Sequence, residues 1–265
     1  MNIEVLNQIH LFLLDMDGTI YLGDKLLPGA RAFLHLLEAR SVPYLFLTNN
    51  SSKHANQYAV KLQRLGLDVD RDKIFTSGQA TAVYLHKLHP NARIYLVGTP
   101  ALEDEFQQHG FQLVTNNPDF AVLGFDTTLT YEKLWRLCDF VRAGLPYIAT
   151  HPDFNCPIED GYMPDIGAMM AFVEASTGRR PDVVVGKPNS PIIEAVVEKT
   201  ETAVTDICMI GDRLYTDIAL GAAGITTVLT LSGEARREDL SGAPHQPDFV
   251  VQDLAELTAL MNENK

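Results

Sequence analysis

Two aspartates separated by one residue, Asp15 and Asp17, follow directly after the apolar run Leu11–Leu14. A continuous apolar run is typical of a parallel strand that is buried on both faces. Because side chains two residues apart on a strand point the same way, near-strand geometry would turn both carboxylates toward one spot. Adjacent carboxylates repel unless a cation or a shared proton relieves them. The pair therefore predicts a metal site or acid–base chemistry, with a turn that merely ends a strand as the alternative.

Three later segments repeat this arrangement of an apolar strand followed by polar residues. Their polar residues are Thr48 and Asn49 after Tyr44–Leu47, Lys187 after Val183–Val185, and Asp212 and Asp217 after Ile207–Ile210. In open α/β sheets, ligands bind beyond the carboxyl ends of the strands. The acids suit a hard cation that prefers oxygen ligands, and the lysine and N–H donors suit phosphate oxygens. This set indicates magnesium-assisted phosphoryl transfer.

Together the segments resemble the four motifs of the haloacid dehalogenase (HAD) superfamily. The matching sequences are DMDGT, a strand ending in TNN, GKP and GDRLYTD, and the last three are similar to those of the NagD-like branch, class IIA. They occur in order over nearly the whole chain, from Leu11 to Leu231. The resemblance implies hydrolysis of phosphate monoesters by a Mg²⁺-dependent enzyme that forms an aspartyl-phosphate.

The resemblance also implies a role for each matching residue. Asp15 would be the nucleophile and Asp17 the general acid and base. Thr48 and Asn49 would bind the phosphate, and Lys187 would orient nucleophile and phosphate.

The metal ligands implied by the resemblance are Asp15, the carbonyl of Asp17, and Asp212, with Asp217 acting from farther away or through a water. For Asp217 a second interpretation is equally open. Thr216 is typical of an N-cap and would place Asp217 in the first turn of a helix, where a carboxylate stabilises the helix dipole.

Strands and helices alternate along the chain, which favours an α/β fold with a doubly wound, parallel, Rossmann-like sheet. The predicted strands are Leu11–Asp15, Tyr44–Thr48, Lys73–Thr76, Arg93–Val97, Ala121–Gly124 and Pro146–Ala149. The predicted helices cover residues 28–40, 51–66, 131–143, 167–175 and 190–199, the second of them capped by Ser51 or Ser52.

The spacing of the motifs predicts an inserted domain. Thr48 and Lys187 lie 139 residues apart, whereas a βαβ unit needs roughly 30. One further unit, through Lys73–Ser77, leaves about 100 residues, enough for a small domain. We predict a catalytic core of residues 1–79 and 183–265 and an α/β cap of residues 80–182. In the resembled family the cap covers the active site, and the exclusion of water strengthens electrostatic interactions there.

Within the predicted cap, residues 151–165 form a polar, turn-rich segment. The resemblance makes this segment the loop that faces the leaving group, and we expect Asp153 and Asp165 to bind substrate. An acidic Asp165 would disfavour a second anionic group or bind a cationic one. His151 is more typical of a structural histidine than of a catalyst. Substitution of Asp153, Asn155, Cys156 or Asp165 is expected to change the ranking of substrates.

Composition restricts the partners. A formal charge of −13 argues against a nucleic acid or an anionic membrane, because either would favour a basic face. The chain has three cysteines, an odd number, and their spacing is not that of a metal site; they are Cys138, Cys156 and Cys208. Because nothing suggests a disulfide framework, we predict a reducing compartment. No targeting pattern and no apolar run near the ~20 residues of a membrane span is present. We expect a cytoplasmic protein that acts on a small phosphate ester, with a homodimer as one option.

Several alternatives to a phosphatase stay open at this point. A catalytically idle protein that binds a metal or a phosphorylated ligand would keep the same motifs, and a phosphomutase would use the same nucleophile. A signalling receiver is disfavoured by the long insert, and dehalogenation by the acid at Asp17, which a leaving halide does not need. The candidate substrates are sugar phosphates, nucleoside monophosphates, pyridoxal phosphate and phosphoglycolate.

Overall fold

The computed structural model describes residues 3–158 and 161–263. The strands are β1 (Leu11–Leu14), β2 (Tyr21–Leu22), β3 (Lys25–Leu26), β4 (Tyr44–Thr48), β5 (Ile74–Thr76), β6 (Arg93–Val97), β7 (Gln112–Leu113), β8 (Phe120–Leu123), β9 (Tyr147–Ala149), β10 (Asn155–Ile158), β11 (Gly161–Pro164), β12 (Val183–Val184), β13 (Ile207–Gly211), β14 (Thr226–Thr230) and β15 (Phe249–Val251). The α-helices are α1 (Ala30–Ala39), α2 (Ala55–Arg64), α3 (Ser77–Leu88), α4 (Pro100–Gln108), α5 (Tyr131–Arg142), α6 (Ile166–Thr177), α7 (Ser190–Thr200) and α8 (Leu254–Glu263). Short 3₁₀ helices cover Ile3–Gln8, Arg71–Lys73, Val204–Asp206, Ile218–Ala223 and Arg237–Gly242.

A six-stranded sheet in the order β15-β14-β13-β1-β4-β5 places the first motif at its centre. β1 pairs in parallel with β13 on one side and with β4 on the other. The register sets Leu14 opposite both Ile210 and Phe46. The residues that follow these three strands therefore emerge at the same edge of the sheet, as the sequence predicted.

The three motif-bearing strands are apolar and buried along their whole length. Phe12, Leu13 and Leu14 of β1 have no exposed surface. Phe33 of α1 packs its ring edge-on against Phe12, with ring centroids 5.8 Å apart. Each fully buried side chain of this kind contributes about 1.5–3 kcal/mol to the free energy of folding. This packing stabilises the strands that position the polar residues at the edge of the sheet.

A second sheet, in the order β12-β9-β8-β6-β7, is parallel throughout. The predicted helix 131–143 is confirmed as α5, which begins where the Thr130 side chain accepts a hydrogen bond from the backbone N–H of Lys133. Its apolar side chains at i, i+3, i+4 and i+7 join the core of this sheet; they are Leu134, Leu137, Cys138 and Val141. β10 and β11 form a separate antiparallel hairpin.

The chain forms two compact units. The first contains the residues up to 48, residues 58–75 and the residues from 200 onward, and it holds most of the six-stranded sheet. The second contains residues 49–57 and 76–199 and holds the five-stranded sheet. The predicted insert of residues 80–182 lies inside the second unit, which also includes the GKP segment. The division into a core and a cap stays a prediction.

Two predicted helix starts were wrong. α2 begins at Ala55, and the Ser51 hydroxyl is instead buried, accepting a hydrogen bond from the N–H of Phe125. Residues 218–223 form a 3₁₀ helix preceded by Asp217, not an α-helix capped by Thr216. The Asp217 carboxylate accepts a hydrogen bond from the N–H of Arg213, which closes the preceding turn.

Within residues 3–158 and 161–263, no helix has both the length and the apolar character needed to cross a membrane.

Candidate active site

Three carboxylates from separate segments of the first unit converge. Asp15 follows β1, Asp212 follows β13 and Asp217 lies five residues further on, and one oxygen of each lies within 4.8 Å of the others. Asp212 and Asp217 are buried, and Asp15 is partly buried. Carboxylates this close repel unless a cation compensates them, and an all-oxygen donor set suits a hard divalent cation. The chemistry of these residues therefore fits a divalent metal.

Three glycines make room for this cluster. A Cβ on Gly18 would lie 2.2 Å from Asp212 Oδ2, and one on Gly233 would lie 2.0 Å from the same atom. A Cβ on Gly211 would lie 2.3 Å from Asp217 Cγ. Gly18 also has a φ of +87°, which L side chains rarely adopt. The carboxylates of Asp212 and Asp217 thus pack directly against the backbone of these glycines, where a side chain would clash with them.

Backbone N–H groups orient two of the three acids. The N–H of Glu234 donates to Asp212 Oδ2 at 2.7 Å. The N–H of Arg213 donates to Asp217 Oδ2 at 3.1 Å. Because the backbone holds these oxygens, little rearrangement is needed when a cation binds.

Arg213 is the main residue of this site that sequence reasoning missed, although it stands beside Asp212 in the GDRLYTD segment. Burial alone would lower the pKa of Arg213, but the charges of Asp15, Tyr215, Asp217 and Glu234 outweigh it and raise the pKa above its ordinary value. Its Nε lies 3.1 Å from a carboxylate oxygen of Glu234. Arg213 is therefore a fixed positive charge that offsets part of the repulsion among the acids.

Asp17 lies outside the group of three carboxylates. β1 ends at Leu14, so the alternation of a strand does not govern Asp15 and Asp17, and the expectation that both face one spot is not met. The side chain of Asp17 is 57% exposed, with Oδ1 3.9 Å from Lys61 Nζ. Tyr21 Oη donates to Asp17 Oδ2 at 3.4 Å.

Tyr21 and Lys61 form the immediate surroundings of Asp17. Burial, followed by the charge of Asp17, raises the pKa of Tyr21 well above its ordinary value, so Tyr21 keeps its proton. Lys61 Nζ lies 3.8 Å from the centre of the Tyr21 ring. Asp17 is therefore a solvent-accessible carboxylate beside a proton donor and a cation.

The predicted phosphate-binding residues fall in both units. Thr48 is the last residue of β4 and is buried in the first unit. In the second unit, the side-chain amide of Asn49 forms hydrogen bonds with both the backbone N–H and the backbone carbonyl of Lys187. Asn49 Oδ1 accepts from the Lys187 N–H at 2.9 Å, and Asn49 Nδ2 donates to the Lys187 carbonyl at 2.9 Å. Asn49 Nδ2 also donates to the carboxylate of Asp153 at 3.2 Å.

Asp165 occupies the N-cap of α6, where its Oδ1 accepts from the N–H of Ile166 at 2.6 Å. The same oxygen lies 3.1 Å from His151 Nε2. Both side chains are buried, so the structure brings His151 and Asp165 together inside the second unit. Of the predicted segment 151–165, Glu159 and Asp160 lie outside the described residues. The substrate roles predicted for Asp153 and Asp165 stay predictions.

Family comparisons match both halves of this motif set. The family described as haloacid dehalogenase-like hydrolase matches residues 12–112, a range that contains Asp15, Asp17 and Thr48. A second profile, described as HAD-hydrolase-like, matches residues 184–257, which contain Lys187 and Asp212.

The chain is also similar along nearly its whole length to individual proteins. The chain is 35% identical to 5'-nucleotidase YutF of Bacillus subtilis, over 92% of this chain and 96% of that protein. It is similar to the crystal structure of a 4-nitrophenylphosphatase from Thermotoga maritima, with a TM-score of 0.92, 49% identity, and coverage of 96% of this chain and 98% of that one. NagD from Escherichia coli K-12 has a TM-score of 0.88 and 33% identity, over 94% of this chain and 98% of its own.

Proposed function

The chain belongs to the haloacid dehalogenase-like hydrolase family, in its NagD-like branch, and from this premise we propose that it is a Mg²⁺-dependent phosphatase that hydrolyses small-molecule phosphate monoesters through an aspartyl-phosphate on Asp15. The observation that carries the proposal is the cluster of Asp15, Asp212 and Asp217 at the edge of the six-stranded sheet. Two of the relatives named above are a 5'-nucleotidase and a 4-nitrophenylphosphatase, which agrees with this reaction.

In the first step a carboxylate oxygen of Asp15 attacks phosphorus in line. A bond forms between this oxygen and phosphorus, and the bond from phosphorus to the ester oxygen breaks. Asp17 transfers its proton to the departing oxygen, which leaves as an alcohol.

In the second step Asp17 takes a proton from a water molecule, whose oxygen attacks phosphorus. The bond to Asp15 breaks, and inorganic phosphate leaves. The exposed position of Asp17 supports this double role, because a side chain that is more than half exposed can reach water and exchange its proton. The hydrogen bond from Tyr21 fixes one of its oxygens.

The donor set supports a metal site in the first unit. Mg²⁺ held by Asp15, Asp212, Asp217 and the carbonyl of Asp17 would neutralise charge that develops on the phosphoryl oxygens. Arg213 adds a permanent positive charge near Asp15 and Asp217. From the family resemblance, Thr48, the backbone N–H of Asn49 and Lys187 are proposed to bind the phosphate. For Asn49 the backbone is the available group, because its side-chain amide is engaged with Lys187 and Asp153.

Substrate choice is proposed to lie in segment 151–165. The residues that act on phosphate and metal serve every ester alike, so the leaving group must be recognised elsewhere. Phe154 and Asn155 of this segment are exposed and are free to meet a ligand, whereas His151 and Asp165 are buried. The compartment is proposed to be the cytosol, which the buried thiols of Cys138 and Cys208 support.

Removal of divalent metal is expected to abolish phosphate release. The reason is that three converging carboxylates cannot bind an anionic ester without a cation to offset their charge. The measurement is release of inorganic phosphate from 4-nitrophenyl phosphate before and after excess chelator, followed by back-titration with Mg²⁺, Ca²⁺ and Zn²⁺.

Full activity is expected to return with Mg²⁺. Undiminished release in excess chelator would contradict the metal-based reaction. Absence of release under every metal, from a folded protein and a broad set of esters, would favour the catalytically idle alternative.

A further inference from the structure

We propose that His151 and Asp165 are positioning residues that hold Lys187 in place, acting through Ser77 and Asn49. The inference rests on the proposed function, because it concerns the lysine assigned to the phosphate. It is carried by a continuous set of buried polar contacts inside the second unit, which joins the start of α6 to the GKP segment. The reaction described above uses neither His151 nor Asp165.

The contacts run from Lys187 outward in four steps. The Asn49 amide holds the N–H and the carbonyl of Lys187, each at 2.9 Å. The Ser77 hydroxyl donates to the backbone carbonyl of Asn49. Ser77 Oγ lies 3.3 Å from His151 Nδ1, and His151 Nε2 lies 3.1 Å from Asp165 Oδ1.

All five residues of this chain of contacts are nearly inaccessible to solvent: exposure is 7% for Asn49, 0% for Ser77 and His151, 3% for Asp165 and 2% for Lys187. A buried polar group that loses its partner is not compensated by water. Each contact therefore constrains the next, because solvent cannot take its place.

The donor and acceptor atoms of these side chains set the direction of the hydrogen bonds. Asp165 is an acceptor when ionised, so its neighbour His151 Nε2 donates. At Nδ1 the Thr150 hydroxyl, 3.0 Å away, is the group that can donate, because the Ser77 hydroxyl donates to the Asn49 carbonyl. Thr150 Oγ1 in turn lies 3.0 Å from Ser51 Oγ. Ser51, Thr150 and His151 can thus donate in one sequence that ends on the Asp165 carboxylate, which accepts.

The backbone of the GKP segment also packs directly on His151. A Cβ on Gly186 would lie 2.6 Å from His151 Cβ and 2.7 Å from Asn49 Oδ1. The Gly186 N–H donates to the Thr150 carbonyl at 2.8 Å. His151 therefore supports the residue that precedes Lys187 by packing, in addition to its contact with Ser77, which holds the Asn49 carbonyl.

The arrangement of an acid, a histidine and a hydroxyl does not indicate a nucleophilic serine here. Ser77 donates its only hydroxyl proton to the Asn49 carbonyl, so it has no proton to give to His151. Ser77 and His151 are also fully buried. Ser77 and His151 are therefore placed to position another residue, and a substrate has no access to them.

The test is a double-mutant cycle of His151→Ala with Lys187→Ala, with turnover of 4-nitrophenyl phosphate as the readout. Misplacement of a catalytic group by about 1 Å costs up to 10²-fold, so His151→Ala is expected to lower kcat by about 10-fold or more when Lys187 is present. When Lys187 is already alanine, the same change is expected to lower kcat by less than about 2-fold, because the positioned group is gone. Equal losses in both backgrounds would overturn the proposal.

Asp165→Asn is the conservative second variant, because asparagine keeps an oxygen for the Ile166 N–H and nearly the same volume. It is expected to show the same dependence on Lys187 if His151→Ala fails to fold. The matched control is Asp126→Asn, which weakens the ion pair of a buried aspartate of the same unit, 2.6 Å from Lys133 Nζ. Asp126→Asn is expected to lower thermal stability while changing kcat equally in both backgrounds.

A second readout does not depend on turnover. Amide hydrogen exchange of Lys187, whose N–H donates to Asn49, is expected to become at least about 10-fold faster in His151→Ala than in Asp126→Asn. Unchanged exchange, or equal acceleration in both variants, would overturn the proposal. A wild-type protein without turnover would overturn the proposed function alone, and amide exchange would then decide whether His151 holds Lys187.

Discussion

Asp15→Asn is expected to lower turnover by at least about 10³-fold while the protein stays folded. An amide does not attack phosphorus as a carboxylate does, and the substitution also removes one charge from the acidic cluster. Folding should persist, because Asp15 follows β1 and adds nothing to the apolar packing of Leu11–Leu14. The measurement is the rate of phosphate release together with thermal unfolding, and Asp68→Asn, an exposed aspartate of the same unit, is the control.

A folded Asp15→Asn enzyme with a near-normal rate would show that another residue is the nucleophile. Asp68→Asn is expected to leave the rate within about 2-fold of the wild type, since substitutions at ordinary surface sites change little.

Gly233→Ala is expected to raise the Mg²⁺ concentration needed for half-maximal activity by about 10-fold or more and to lower kcat by about 10²-fold. The new Cβ would lie 2.0 Å from Asp212 Oδ2, so the Asp212 carboxylate or the backbone at residue 233 must shift, and we expect the cluster with Asp15 and Asp217 to be disturbed. The measurement is phosphate release as a function of Mg²⁺ concentration.

Gly242→Ala is the matched control for this substitution. It makes the same chemical change in the same unit, with nothing within 4 Å of the added carbon. Its Mg²⁺ dependence is expected to equal that of the wild type. A Gly233→Ala enzyme that also keeps the wild-type dependence would show that Asp212 does not hold the metal.

Much of the fold and of the acidic cluster could be predicted from the sequence, because both depend on local patterns. The continuous apolar runs before Asp15, Thr48 and Asp212 marked buried parallel strands, and the sheet order sets those strands side by side. The 3.6-residue period of Leu134 to Val141 marked α5. In each case a few neighbouring residues determine the structure.

Contacts between distant segments could not be predicted from the sequence. Asn49, a predicted phosphate-binding position, pairs through its side-chain amide with Lys187, 138 residues further on. The contact of His151 with Asp165 depends on where β9 and α6 bring the chain, which no local pattern specifies. The wrong cap at Ser51 has the same origin, since a hydroxyl bonds whichever partner the tertiary fold supplies.

Asp15 is proposed to carry the phosphoryl group during turnover. The most direct test is to trap the phosphorylated enzyme in Asp17→Asn. The 4-nitrophenolate ion leaves without a proton, so the first step can proceed without the acid at Asp17, whereas hydrolysis of the intermediate still needs its base. The measurement is rapid acid quenching of Asp17→Asn with 4-nitrophenyl phosphate and Mg²⁺, followed by peptide mass spectrometry. The account predicts one phosphoryl group per chain, on the peptide that contains Asp15. A burst of 4-nitrophenolate with the phosphoryl group on another residue, or with no phosphorylated peptide, would contradict it.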